Sequence, residues 1–158
     1  MPSPAPAFSR VLCATDLSEF GNRAVPFAFA IAAPGGCVTV LHVLRKPGVP
    51  SPLVPHYGEK HASDEELAAQ EQRDVEQLIE LARPLAEAHG VRFEVRAPRA
   101  TEVARAILEE AEGIAADALC LATHSRTGLA QLMLGSTAHE VLHHAGRPVL
   151  LIPSPIVR

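Results

Sequence analysis

Short apolar runs separated by turn residues alternate along the chain with stretches of helical period. The first run, Val11 to Thr15 (VLCAT), is continuously apolar and ends at Asp16, as in a strand buried on both faces of a parallel sheet. Ser18 to Asn22 then supply N-cap residues for a helix starting close to Asn22, which places Pro26 in its first turn, and running to about Ala33. Gly35 and Gly36 break the chain before a second buried strand, Cys37 to Val43. Residues 44–62 are rich in proline and lack an apolar period, which predicts a mobile loop placed where a lid can form. Ser63 and Glu66 have capping-box spacing and open a long helix with the apolar stripe Leu67, Val75, Leu78, Ile79 and Leu85. Pro84 is a kink point in that helix and Gly90 its end.

Val91, Phe93 and Val95 alternate strictly with Arg92, Glu94 and Arg96, the signature of a half-exposed strand at the sheet edge. Thr101 is the expected cap of a helix that runs to about Glu112 and stops at Gly113, before a fourth strand from Asp117 to Ala122. A final helix, about Thr137 to His144, ends at Gly146, and Pro148 leads into a last strand, Val149 to Ile152. Five strands with four intervening helices predict an α/β sandwich: one parallel sheet, right-handed crossovers, and a single domain over residues 1–158.

Composition narrows the function. A net charge of -4 and a pI near 6.0 provide no electrostatic footprint for nucleic acid or an anionic membrane surface. The opening MPSPAPAFSR has neither the basic start nor the apolar core of a secretory signal, and no apolar run approaches the ~20 residues of a membrane span, so the expected location is cytoplasmic. Cys13, Cys37 and Cys120 are far apart and form no CxxC pair; they read as small buried hydrophobes.

The chemistry concentrates in Leu119 to Leu151, LCLATHSRTGLAQLMLGSTAHEVLHHAGRPVLL. A chain that leaves a buried strand and re-enters as a helix at Gly135-Ser136-Thr137 aims unpaired N–H groups and the positive helix end at one spot, a site suited to phosphate. A plainer reading stays open, with Gly135 a turn residue, Thr137 and Glu140 a ligand-free capping box, and Asp16 the cap of its own turn.

This stretch, together with VLCATDLSE and VLHV, resembles the universal stress protein family. Nucleotide-binding members carry a glycine, two residues, a second glycine, nine residues and then Gly-Ser or Gly-Thr; that spacing falls here on Ala122, Ser125, Gly135 and Ser136. The last pair keeps the pattern, while alanine and serine replace the first two glycines, and a Cβ at either position obstructs backbone approach to a phosphate. The resemblance implies an open five-stranded sheet of order 3-2-1-4-5 with helices on both faces, of the adenine nucleotide alpha hydrolase-like kind. It also implies an adenine nucleotide, ATP or AMP, with a divalent cation held by the phosphates. The implied site comprises Ala14, Thr15 and Asp16 after the first strand, Val43 after the second, Leu121, Ala122, His124 and Ser125 at the fourth, and Gly135, Ser136 and Thr137 at the last helix. It further implies a stress-response regulatory role and a homodimer formed through the last strand. The rival reading is a dimeric interaction factor of the same fold without nucleotide.

Other constellations are absent. No GxSxG, GxxxxGK[ST] or GxGxxG motif occurs, and Asp16 lacks the acidic neighbour of a phospho-acceptor domain, so any activity is limited to slow ATP hydrolysis. His139 and His143 have i,i+4 spacing with His144 adjacent, but no third metal ligand can be assigned. His42, within a buried run, is expected to be a hydrogen-bonded core histidine.

Overall fold

The computed structural model describes residues 7–46, 62–123 and 134–153. In chain order the elements are β1 (Phe8–Ala14), α1 (Glu19–Asn22), α2 (Ala24–Ile31), β2 (Ala32–Leu41), β3 (Leu44–Arg45), α3 (Asp64–His89), β4 (Arg92–Arg96), β5 (Arg99–Ala100), α4 (Val103–Gly113), β6 (Ala118–Thr123), α5 (Ser136–His144) and β7 (Val149–Pro153). The main sheet is parallel with order β4-β2-β1-β6-β7, which is 3-2-1-4-5 when its five strands are numbered alone.

Alternating side chains divide the sheet into two faces, each with its own core. Val11, Cys13, Val38, Val40 and Cys120 pack with Val25, Phe29 and Leu78 beneath α2 and α3. Leu12, Leu41, Leu119 and Leu121 pack with Ile107, Ala111 and Val141 beneath α4 and α5. Both faces of β1 and β6 are buried, which explains their unbroken apolar runs, whereas β4 lies at the edge with exposure alternating along it.

Several boundaries differ from the sequence reading. The first helix is two pieces: Ser18 caps α1 by accepting from Gly21 N, and α2 begins at Ala24 and ends at Ile31, short of Ala33. Pro26 is the third residue of α2, where its missing N–H costs no intrahelical bond. β2 starts at Ala32, before the two glycines: Phe8 pairs with Ala32 and Arg10 with Cys37, and the intervening bulge is turned by Gly35 at φ 74°. Thr101 does not cap α4, whose N-cap is Glu102 without a side-chain bond. Thr137 lies inside α5, whose N-cap is Gly135, so Thr137 and Glu140 form no capping box. The Ser63–Glu66 capping box is present, with Ser63 N donating to Glu66 Oε2 at 2.8 Å, and Gly90 closes α3 at φ 63°. Leu44 and Arg45, placed in the loop, instead form β3, which pairs with β5; residues 47–61 lie outside the described residues.

Candidate functional site

The register fixes which residues share the carboxyl edge of the sheet. Ala14 pairs with Leu41 on one side and Leu121 on the other, and Thr15 N donates to Leu41 O at 2.9 Å. Asp16, His42–Val43 and Ala122–Thr123 therefore emerge together beyond one row of the sheet. β1 and β6 flank the point where the strand order reverses, the usual place for ligands in open α/β sheets. As the crossover from β6 to β7, α5 runs back across the sheet, because β7 begins opposite Leu119 at the far end. Its start, with Gly135 and Ser136, thus faces the carboxyl edge.

The sequence-derived residues divide accordingly. Ala14, Val43 and Leu121 are buried in the α4–α5 core, so backbone groups are what they can offer at the edge. Ala122 turns its methyl toward the opposite core. His124 and Ser125 lie outside the described residues. Ser136 is exposed and Thr137 half-buried in the first turn of α5.

Gly135 has φ -59° and ψ 153°, ordinary for any residue, and a Cβ built on it meets no described atom within 4 Å. Among the described residues, then, neither conformation nor packing requires a glycine there. Among the described residues no side chain caps this helix, so its first N–H groups, which lack intrahelical partners, face the edge together with the positive dipole end.

The Asp16 loop is held by a network in which Asp16 caps its own turn, the plainer reading left open from the sequence, and Ser18 caps the following helix, while the part played by Thr15 was not read there. Asp16 Oδ1 accepts from Ser18 N (3.0 Å) and from the Ser18 hydroxyl, while Ser18 Oγ accepts from Gly21 N (3.0 Å). The Thr15 hydroxyl donates to Asn22 Oδ1 (2.7 Å) and accepts from Leu17 N (3.0 Å). Leu17 takes φ 62°, a left-handed conformation costly for a leucine, and the turn it makes leaves Asp16 exposed at the edge. Gly21 is buried against this turn, and its packing is legible only in three dimensions.

His42 is half-buried, and its Nδ1 lies 3.0 Å from Thr15 O, the hydrogen-bonded core histidine expected from the sequence. On its other side Nε2 faces Asp74 Oδ2 at 3.7 Å. Asp74 is 3% exposed, the first residue of the buried row of α3 that continues through Leu78, Ala82 and Ala86. The apolar stripe read from the sequence missed it because its position is polar.

The cysteines do not contribute chemistry at the edge. Cys13 and Cys120 face each other across β1 and β6, fully buried; the contact with Cys120, together with burial, pushes the Cys13 thiol well up, so it stays protonated. His139 and His143 stack with ring centroids 5.3 Å apart, and no group of three metal-ligating side chains occurs among the described residues. No described helix is long and apolar enough to cross a membrane.

A doubly wound parallel sheet with a helix starting at Gly135 over its carboxyl edge defines the class, an α/β domain of the kind that usually binds ligands at the reversal of strand order. Within that class the chain belongs to the universal stress protein family, whose model matches residues 7–153. Solved structures agree on the fold. Universal stress protein UspA from Lactobacillus plantarum is 18% identical with a TM-score of 0.70, over 92% of this chain and 98% of that one. A universal stress protein in complex with cAMP is 22% identical with a TM-score of 0.62, over 94% and 99%. A family protein from Arabidopsis thaliana with AMP bound is 18% identical with a TM-score of 0.60, over 93% and 92%. No curated protein matches this chain.

Proposed function

We propose that this chain is a regulatory module of the stress response that binds an adenine nucleotide, ATP or AMP, in the crevice over the carboxyl ends of β1, β2 and β6. The observation that carries this reading is the start of α5: a helix end that no described side chain caps, with a glycine that the described structure does not require. Such an end accepts a phosphate through backbone N–H groups, and a bare Cα lets the ligand approach closely. Asp16, exposed at the neighbouring strand end, supplies a carboxylate for ribose hydroxyls or the adenine amine. Any divalent cation is held by the phosphates, since the described residues offer no cluster of ligands for it. Two structural neighbours, recorded with cAMP and AMP, support the adenine chemistry.

The same reading places the protein in the cytoplasm as a homodimer. β7 is an edge strand with apolar, half-buried Val149, Leu150 and Leu151, and pairing with a second copy across a two-fold axis covers both edges.

One observation favours the rival, a nucleotide-free interaction factor: Asp16 Oδ1 is already engaged by both groups of Ser18. Calorimetric titration with ATP, AMP and cAMP decides between them. Saturable binding of at least one at micromolar concentration supports the site, and no heat or thermal shift with any at millimolar concentration refutes it; at 100 times Kd a ligand adds ~2.7 kcal/mol of stability.

A further inference from the structure

Among the described residues two that carry a Cβ take a left-handed backbone, Leu17 at φ 62° and Ala115 at φ 50°. Ala115 follows the end of α4 and closes it in the ordinary way, its N–H donating to Glu112 O at 3.0 Å. Leu17 closes no helix. It lies between β1 and α1, where the same conformation is penalised by its own Cβ and persists because neighbouring groups hold it. Those groups are Thr15 and Asn22. The Thr15 hydroxyl has one proton, which goes to Asn22 Oδ1 at 2.7 Å, and this leaves a lone pair to accept from Leu17 N at 3.0 Å. Asn22 Nδ2 reaches back to Leu17 O at 3.5 Å, the longest of the three bonds. The ring therefore grips Leu17 by both its backbone groups. The amide has one workable orientation, since the reversed one would set its oxygen against the Leu17 carbonyl with no donor between them. Thr15 is itself anchored to the sheet: it is 7% exposed, its N donates to Leu41 O at 2.9 Å, and its carbonyl lies 3.0 Å from His42 Nδ1.

We infer that half-buried Asn22 is a positioning residue of the nucleotide site, holding Leu17 in its left-handed turn and through it setting the direction of Asp16. Both chain neighbours of Asp16 are then fixed, Thr15 by the sheet and Leu17 by the ring, and the exposed carboxylate between them is presented in one place. Asn22 acts through Leu17 and needs no contact with ligand. The inference rests on the nucleotide reading above. Releasing the ring lets Leu17 relax to a negative φ, which swings Asp16 away from the position the turn gives it. The expected loss of AMP affinity is about tenfold, the low end of what a hydrogen bond to a charged group contributes.

The test begins on the nucleotide-free protein. The NOE between the amide and α protons of Leu17 is strong at positive φ and weak at negative φ, and it is compared in wild type, Asn22→Ala and Thr15→Val. The expected result is a strong signal in wild type that weakens in both variants. Thr15→Val breaks the ring from its other side, so the measurement does not depend on one variant folding. A signal that stays strong in the folded variants overturns the inference. AMP titration of the same proteins follows, with a loss of about tenfold expected for Asn22→Ala; affinity within about twofold of wild type overturns the positioning role and leaves the nucleotide reading standing. Leu17→Gly supplies the rescue, because glycine takes this turn without being held. Adding Asn22→Ala to Leu17→Gly should weaken AMP by less than about threefold, whereas an equal loss in both backgrounds shows that Asn22 acts other than through Leu17 and overturns the inference. Absence of AMP binding by wild type refutes the nucleotide reading and the positioning role together, and the NOE still decides whether Asn22 holds Leu17.

Discussion

Gly21→Ala tests whether the turn around Asp16 is built for binding. An alanine Cβ at this buried position would overlap Asp16 Oδ1 and lie 2.9 Å from Thr15 Oγ1 and 3.0 Å from Asp16 N. The carboxylate can rotate away, but a backbone nitrogen at that distance yields only if the turn shifts by a few tenths of an ångström. Overpacking of this kind costs about 1–3 kcal/mol. Replacing a helical glycine returns about 1 kcal/mol, so the net loss of stability is about 0–2 kcal/mol, measurable by urea unfolding and too small to abolish folding. The effect on ligand is larger. Displacing a carboxylate that hydrogen-bonds a nucleotide forfeits about 1.5–3 kcal/mol, roughly a 10- to 150-fold loss of affinity. Calorimetry with AMP on the folded variant reads this directly. If Gly21→Ala binds AMP within twofold of wild type, the exposure of Asp16 is not what binding needs, and if it also resists urea better, the steric argument fails as well.

Three further outcomes follow from the structure. Gly135→Ala should lower stability by less than about 1 kcal/mol, the cost of a poorer N-cap, while weakening ATP at least tenfold in calorimetry; unchanged affinity would leave the glycine without a role. Arg147→Ala should destabilise by about 2–4 kcal/mol in urea unfolding, because the guanidinium donates to Ala111 O (3.0 Å), Ala116 O (2.8 Å) and Ala145 O (2.9 Å) besides pairing with Glu112, and its loss removes all three charge-assisted bonds at once. Leu150→Lys on the edge strand should convert a dimer to monomer in sedimentation at micromolar concentration; a wild type already monomeric there removes the β7 interface.

Residues whose role is local were legible in the sequence. The unbroken apolar runs of β1 and β6 announce burial on both faces, the alternation in β4 announces an edge, and Ser63 with Glu66 announces the start of α3, because each depends on neighbours within a few positions. Roles set by residues distant in the chain were not. Asp74 breaks the apolar stripe of α3 and reads as solvent-facing until β2 brings His42 against it. The pairing of β3 with β5 sets Leu44 beside Arg99 and Arg45 beside Ala100 through backbone bonds that leave no side-chain pattern. Thr101 has the chemistry of a cap, yet α4 starts after Glu102, since a capping residue is chosen by where the chain turns as well as by its hydroxyl. At the candidate site, Asp16 and Gly135 carry recognisable motifs, whereas Gly21 is an unremarkable glycine until its missing Cβ is seen to make room for the Asp16 turn.

Ala122 stands where nucleotide-binding relatives are expected to carry glycine, and its placement recasts the idea that its Cβ blocks phosphate. Along β6, Ala118 and Cys120 face the α2–α3 core, and Ala122 continues that row, half-buried and packed on the same core. Its backbone pairs with Ile152 of β7. The methyl therefore fills space on the sheet face, to one side of the crevice that the start of α5 overlooks. Ala122→Gly should then act on the strand: loss of a packed methyl and greater freedom in the unfolded chain cost about 1 kcal/mol, while ATP and AMP affinities keep their wild-type ratio within twofold. Urea unfolding and paired titrations measure both quantities on one preparation. A fivefold gain for ATP with AMP unchanged would restore the obstruction account and place the methyl in the path of the distal phosphates.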